Sequence, residues 1–391
     1  MRMAIKLLSS AKQLKGKIAL VRIDCNVPLV GKKIVDDTRL RDVLPTIRFL
    51  ERHGAPIILI GHLGRPQGKK LPSLSLKPIG YALGKLLRKP VKVLPLSAGT
   101  ETLRREALRG VVLLENIRFE KGEDDNSPAL AKSLAALGDI FVNDAFSVSH
   151  RAAASMVAIT KFLPSYAGHH LAQEVEALSV VRKGRSKPMA VLVGGAKVAD
   201  KLVVINSLLP KLSYVMVGGA VANTLLAAKK YKVGKSLIDT SILRQAKLLI
   251  RRAGNKLILP LDVIVDRVGT KKREVMWRAV NEIKVGERIV DLGTHTTQVY
   301  ASHLKRVKTI LWSGTMGLAE EHEWAHASLA LGRLVSARAR RRCFVVVGGG
   351  DTAAFFRQHD LAVDYVSSAG GAMLDFLAGV KMPALISLGY R

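Results

Sequence analysis

Short apolar runs alternate along the chain with amphipathic stretches, the pattern that predicts an α/β fold built on parallel sheets. In the first half the predicted strands are IALVRID, PIILIG, VKVLPL, VVLLEN and IFVND. After the first of them Leu40, Val43, Leu44, Ile47 and Leu50 recur at helical spacing. Gly54 ends that helix, and Pro45 inside it predicts a kink. Residues 170–184, HLAQEVEALSVVRKG, form an uninterrupted helical pattern, and a second strand series follows: MAVLVG, YVMVGG, KLILPLDVIV, TILWSG, CFVVVGGG and AVDYVSS. At 391 residues the chain exceeds what one core serves. Two domains are expected, with the boundary near 184 and the helix before it as connector.

The predicted strand ends differ in kind between the halves. In open α/β sheets the ligand site lies beyond the carboxyl ends of the strands. In the first half those ends read VRIDCN, GHLGRP, LENIRF and NDAFSVSHR. They set His62, Arg65, Arg118, His150 and Arg151 beside Asp24 and Asn26, with Arg39 opening the next helix. Four arginines at one crevice suit a compact anion with several phosphate or carboxylate groups, because guanidinium forks match those oxygens.

In the second half the strand ends carry glycine: VLVGGAK, VMVGGAV, LWSGTMG, VVVGGGDT and VSSAGGA. Glycine lets backbone approach a ligand closely and turns N–H groups toward it. Five such junctions suggest a nucleotide whose phosphates rest on amides and helix N-termini, above all at Gly349, Gly350, Asp351 and Thr352. Asp351 reads equally as a helix N-cap or as a Mg²⁺ ligand at nucleotide phosphates. Lys197 and Lys201, four residues apart and expected on one helix face, read as surface lysines or as counter-charges to phosphate.

Composition changes this picture in one respect. Lys and Arg number 62 against 31 Asp and Glu, a net charge of +31, which attracts polyanions of any kind. The charges are scattered, with local runs only at RRR 340–342 and TKKRE 270–274. No RNA-binding signature accompanies them and aromatics make up 5%, so nucleic acid is expected only as non-specific binding to a basic surface. Two distant cysteines, Cys25 and Cys343, favour a reduced, cytoplasmic protein. The N-terminus lacks an apolar core and cleavage site, and no window is long enough to span a bilayer; no membrane association is expected.

The ordered motifs HLGRP, LLENIRF, VNDAFSVSHR, GGAKVADK and GGGDT make the chain resemble the phosphoglycerate kinase family over almost its whole length. The resemblance implies two Rossmann-like lobes with parallel sheets: a phosphoglycerate-binding lobe over 1–169, a connector helix over 170–184 and a nucleotide-binding lobe over 185–375. Residues 376–391 would pack back toward the first lobe. It implies reversible transfer of phosphoryl from 1,3-bisphosphoglycerate to ADP with Mg²⁺, giving 3-phosphoglycerate and ATP, by a monomer. Asp24, Asn26, Arg39, His62, Leu63, Gly64, Arg65, Arg118 and Arg151 stand at the phosphoglycerate positions. Gly195, Lys197, Lys201, Gly219, Glu320, Gly349, Gly350, Asp351 and Thr352 stand at the nucleotide positions, with Glu320 at the ribose and Asp351 at the metal. Arg39, Lys197 and Lys201 would neutralise the transferring phosphoryl group as the lobes close.

Departures from the family pattern are Trp312-Ser313-Gly314-Thr315 in place of Trp-Asn-Gly-Pro, and Ser367-Ser368-Ala369-Gly370-Gly371 in place of Ser-Thr-Gly-Gly-Gly. Cys25 stands where an aromatic is common. Ala369 is expected to strain a turn that favours positive φ. A nicotinamide-dependent dehydrogenase is the runner-up, disfavoured because no G-x-G-x-x-G opens a βαβ unit. A polyanion-binding protein on a degenerate kinase scaffold is the third reading, raised by the charge.

Overall fold

The computed structural model describes residues 5–31, 33–269 and 275–390. The TKKRE run at 270–274 lies outside them. The chain divides into two compact units, residues 1–176 with 381–391 and residues 177–380. The dividing point falls inside the helix His169–Lys183.

Each unit is built on a six-stranded parallel sheet. In the first the order is Val91–Leu94, Val111–Leu114, Ile57–Ile60, Ala19–Arg22, Ile140–Asn143, Ser165–Ala167. Ala19 lies level with both Ile57 and Ile140. The four central strands are buried on both faces, and alternate residues feed two cores. Ala19, Val21, Ile57 and Leu59 join one, and Leu20, Ile58 and Ile60 the other. Helices cover both faces of such a sheet, which is why these strands read as continuous apolar runs rather than alternating ones. In the second unit the order is Leu257–Ile258, Tyr214–Val217, Met189–Val193, Thr309–Ser313, Phe344–Gly348, Tyr365–Ser367.

Two expectations from periodicity change. KLILPLDVIV is not one strand. Pro260 has no N–H to give a ladder, and the run divides into Leu257–Ile258 at the parallel sheet's edge and Asp262–Arg267 in a separate sheet. That sheet is antiparallel, with Asp262–Arg267 between Val275–Ala279 and Glu287–Leu292. The helix expected through Pro45 is two helices, Thr38–Asp42 and Leu44–Arg52, separated at Val43. Pro45 thus sits in the first turn of the second helix, where its missing N–H costs nothing.

The last helix, Pro383–Ser387, belongs to the first unit. Ala384 packs with Ala145, Ala153 and Met156, and its N–H donates to the Ser149 carbonyl at 3.2 Å. Among the described residues no helix is long and apolar enough to cross a membrane.

Candidate active site

In the first unit, four adjacent parallel strands end at one edge, so the residues just past their ends meet there. Asp24 follows Ala19–Arg22, His62 follows Ile57–Ile60, Arg118 follows Val111–Leu114, and the Ser147–Arg151 segment follows Ile140–Asn143. Arg39, in the short helix Thr38–Asp42, donates from Nη1 to Asp24 Oδ2 at 2.9 Å and to the Asn26 carbonyl at 3.0 Å. Asp24 Oδ1 accepts the Asn26 N–H at 2.9 Å, and Ser147 Oγ donates to Oδ2. Burial pushes the Asp24 carboxyl up, but Arg39 and these donors outweigh it and leave it below its usual value.

Asn26 Oδ1 accepts the N–H of Gly64 at 3.1 Å, and Arg118 Nη1 donates to the Gly64 carbonyl at 2.8 Å. Gly64 has φ +64°, and a Cβ there would press on Leu74. Leu63 is buried, and its carbonyl accepts from Asn116 Nδ2 at 2.7 Å. Arg118 also pairs with Asp124 at 3.2 Å, while Arg151 Nε donates to His150 Nε2 at 3.2 Å. Arg65 and Asn26 are exposed. The sequence-predicted anion residues of this unit are therefore brought to one edge.

Arg22, Ser147, Ser155 and Glu123 were not among the predicted residues. Arg22 is fully buried and donates to Ser155 Oγ at 3.0 Å; the Ser155 hydroxyl in turn donates to buried Glu123 at 2.6 Å. Its Nη2 lies 3.0 Å from His62 Nδ1. The signal was present, because Arg22 is the charged residue inside the apolar stretch IALVRI. Burial, then Arg22, and further off Arg118 and Arg151, hold the His62 imidazole well below its usual range.

In the second unit, the glycine turns after Met189–Val193, Tyr214–Val217 and Thr309–Ser313 stack on one another. The N–H of Gly194 donates to the Ser313 carbonyl (3.0 Å), Gly195 to Thr315 (3.0 Å), Gly218 to Val193 (3.0 Å) and Gly219 to Met316 (2.8 Å). This corrects the expectation that these amides face a ligand. Here glycine permits backbone to pack on backbone: a Cβ on Gly194 would collide with the Thr315 carbonyl, and one on Gly314 with that of Gly194.

The two lysines also differ from expectation. Lys197 is the N-cap of the helix Val198–Leu208 and is exposed, so it does not share a helix face with Lys201. Lys201, in the first turn, is buried and donates to the Gly194 carbonyl. Burial lowers its ammonium to about 8, aided by Lys197 and opposed by Asp351 and Asp200.

Asp351 is not the N-cap of its helix. Gly349, at φ +101°, caps Gly350–Gln358, and Asp351 is exposed in the first turn. Thr352 is buried, and its Oγ1 accepts the Gly314 N–H at 2.7 Å, tying this helix to the neighbouring turn. The first N–H groups of that helix have no partner within it, so this terminus could offer free amides to an anion. Glu320 is exposed at a cleft of about 260 Å³ shared with Gly195, Gly219, Asn223 and Asp291. Neither Asn223 nor Asp291 was predicted. Asn223 Oδ1 is buried there without a protein partner, and burial raises the Asp291 carboxyl to about 7. Ala369 carries no strain, because the positive φ falls on Gly370 (+53°).

Among the described residues no group of three or more His, Cys, Asp or Glu could hold a metal ion. One exposed carboxylate, Asp351, beside a helix N-terminus suits an ion that arrives on nucleotide phosphates, which needs only one or two protein carboxylates.

Residues 9–380 match the family model described as phosphoglycerate kinase. The chain is 40% identical to a phosphoglycerate kinase of Herpetosiphon aurantiacus over 95% of its length and 96% of the relative's. It is 41% identical to one of Rubrobacter xylanophilus over 97% of both chains. The solved phosphoglycerate kinase of Coxiella burnetii superposes with a TM-score of 0.86 at 35% identity, covering 98% of each chain. That of Pyrococcus horikoshii gives 0.84 at 28%, also over 98% of each chain. The chain belongs to the phosphoglycerate kinase family, whose members are phosphotransferases with a carboxyl group as acceptor.

Proposed function

We propose that the chain transfers phosphoryl reversibly between 1,3-bisphosphoglycerate and ADP, with the cationic edge of the first unit holding phosphoglycerate and the Gly349–Gly350 helix terminus and Glu320 cleft of the second holding nucleotide. The observation that supports this most directly is Arg39. Its guanidinium is fixed by Asp24 and the Asn26 carbonyl, yet its side chain keeps 30% exposure. A cation oriented by one carboxylate and still reachable by solvent is preorganised for an incoming anion.

His62, Arg65, Arg118 and Arg151 bind the remaining anionic oxygens, and Leu63 and Gly64 shape the loop that carries them. Glu320 takes the ribose hydroxyls at the mouth of its cleft. Lys197 and Lys201 meet the distal phosphates, with Thr352 and the Gly349–Gly350 terminus beneath them. Asp351 holds the phosphate-borne Mg²⁺, which, when bound, offsets charge on the phosphate oxygens. In the direction of ATP synthesis the attacking oxygen is an ionised phosphate, and in reverse an ionised carboxylate. Neither needs a general base, so the chain's contribution is alignment and charge neutralisation. A monomer working in the cytoplasm completes this reading.

The test is ATP consumption with 3-phosphoglycerate and Mg²⁺, coupled to reduction of the bisphosphoglycerate formed, with Arg39→Ala alongside. Activity in the parent that vanishes in the variant supports the assignment. A folded parent that binds ATP and transfers nothing would overturn it.

A further inference from the structure

The net charge of +31 is not explained by the two substrate sites, and part of it has a definite place in the second unit. All strands of the parallel sheet run one way, so the glycine turns lie at their carboxyl ends. The residues that lead into the strands collect at the opposite edge. Lys256 immediately precedes Leu257–Ile258 and Lys308 precedes Thr309–Ser313. Lys187 and Arg342 each stand two residues before their strands, Met189–Val193 and Phe344–Gly348.

These approaches are locked side by side. The Lys308 N–H donates to the Pro188 carbonyl at 2.7 Å, and the Phe344 N–H to the Lys308 carbonyl at 2.9 Å. Arg338 Nη2 donates to the Val307 carbonyl at 2.6 Å, which brings the end of the helix His326–Ala339 against the turn bearing Lys305 and Arg306. Lys187, Lys305, Arg306, Lys308 and the three arginines 340–342 are all exposed. The carboxylate of Asp364, at the head of the next strand, is engaged by the Val345 N–H at 2.8 Å. From Lys187 to Arg342 the exposed cations cross two strand spacings, about 10 Å, while Lys256, two strands further out, is half-buried and donates to the Leu209 carbonyl at 3.0 Å.

We propose that this edge binds the phosphate backbone of nucleic acid without regard to sequence. Arginine forks and lysines set along a line suit successive phosphates. No large exposed apolar side chain lies within residues 185–188, 305–308 or 338–342. The patch therefore lacks both the platform that base stacking needs and the apolar anchor that stable attachment to a bilayer needs. It lies at the opposite ends of the strands from the glycine turns, so a bound polymer leaves those turns open.

The experiment measures binding of the full chain to a labelled RNA of mixed sequence across a series of salt concentrations. Three forms are compared: the parent, the triple variant Arg340→Glu/Arg341→Glu/Arg342→Glu, and a control with the same charge change in the first unit, Lys12→Glu/Lys15→Glu/Arg105→Glu. Kinase turnover reports that each variant is folded. The expected result is that the first triple variant weakens binding at low salt at least about tenfold and flattens the log–log salt slope by roughly 2 to 3, while the control leaves the slope nearly unchanged. Equal weakening by both would overturn the proposal in favour of diffuse charge. So would a parent that ignores RNA, or one that binds phosphatidylserine vesicles in its place.

Discussion

Arg22 Nη2 stands 3.0 Å from His62 Nδ1 in a fully buried setting. A guanidinium only donates, so Nδ1 accepts and the imidazole proton sits on Nε2. His62 is thereby a neutral hydrogen-bond donor rather than one more cation among the arginines.

This has a consequence for acid stability. The His62 pKa lies well below its unfolded value of 6.5, so below that pH the unfolded chain binds a proton the folded chain refuses. Stability is therefore full above pH 6.5 and falls as pH drops, by up to about 1.4 kcal/mol per pH unit for this one group. His62→Gln is expected to flatten that slope, as read from urea midpoints between about pH 6.5 and 5. An unchanged slope would show that His62 protonates freely in the folded chain.

Arg39 and Asp24 make a different prediction. The Asp24 carboxyl sits below its ordinary 3.8 because Arg39, Ser147 and the Asn26 N–H outweigh its burial. Its contribution to stability is present above that value and is lost as pH falls through the depressed one. Removing the guanidinium in Arg39→Ala leaves burial to push the carboxyl up, so the acid transition should move to higher pH. Transfer activity, kcat/KM for 3-phosphoglycerate, should drop roughly 10²- to 10³-fold. A variant that loses activity without shifting its acid transition would mean the pair is not formed in solution.

Much of this was legible in the chain. Every predicted strand has a counterpart in a sheet, because strands buried on both faces print as unbroken apolar runs. What the pattern missed follows from local chemistry. The antiparallel sheet of Asp262–Arg267 was hidden because Pro260 interrupts an apolar stretch that otherwise looks continuous. The site residues visible in sequence were those that follow the end of an apolar run, whereas Arg22, whose charge breaks one, was passed over. Ser147 and Glu123 were not visible, since a serine or a glutamate in a loop becomes informative only when folding sets it against Asp24 or Ser155. The glycines were correctly marked as special but for a different reason, close packing of backbone on backbone.

That reason is testable at Gly194. A methyl group there meets the Thr315 carbonyl, which cannot move without breaking the Gly195 N–H bond to it. Gly194→Ala is expected to cost about 2 to 3 kcal/mol of stability in a denaturant titration and to weaken nucleotide binding. Gly350→Ala is a fit control, since a Cβ there meets nothing within 4 Å. Its helical position favours alanine, so its stability should hold or rise. Equal losses in both would point to flexibility rather than packing as the role of Gly194.

Lys201 joins stability and turnover in one residue. Its ammonium titrates near 8 in the folded chain, against 10.5 when free. Between those values the unfolded chain binds more protons, so stability rises with pH through that window. At neutral pH the buried charge costs roughly 3 kcal/mol. Lys201→Met should therefore stabilise the free protein while abolishing transfer. Loss of the charge should also place an alkaline limb near pH 8 in kcat/KM for the nucleotide, which reports the free enzyme. Bound phosphates favour the charged form, so the same limb in kcat should lie at higher pH. Lys201→Arg, charged throughout, should lose the limb even if its level is low, because a planar fork cannot replace a point charge on the Gly194 carbonyl. A limb near pH 8 that survives in Lys201→Arg would assign it to another group.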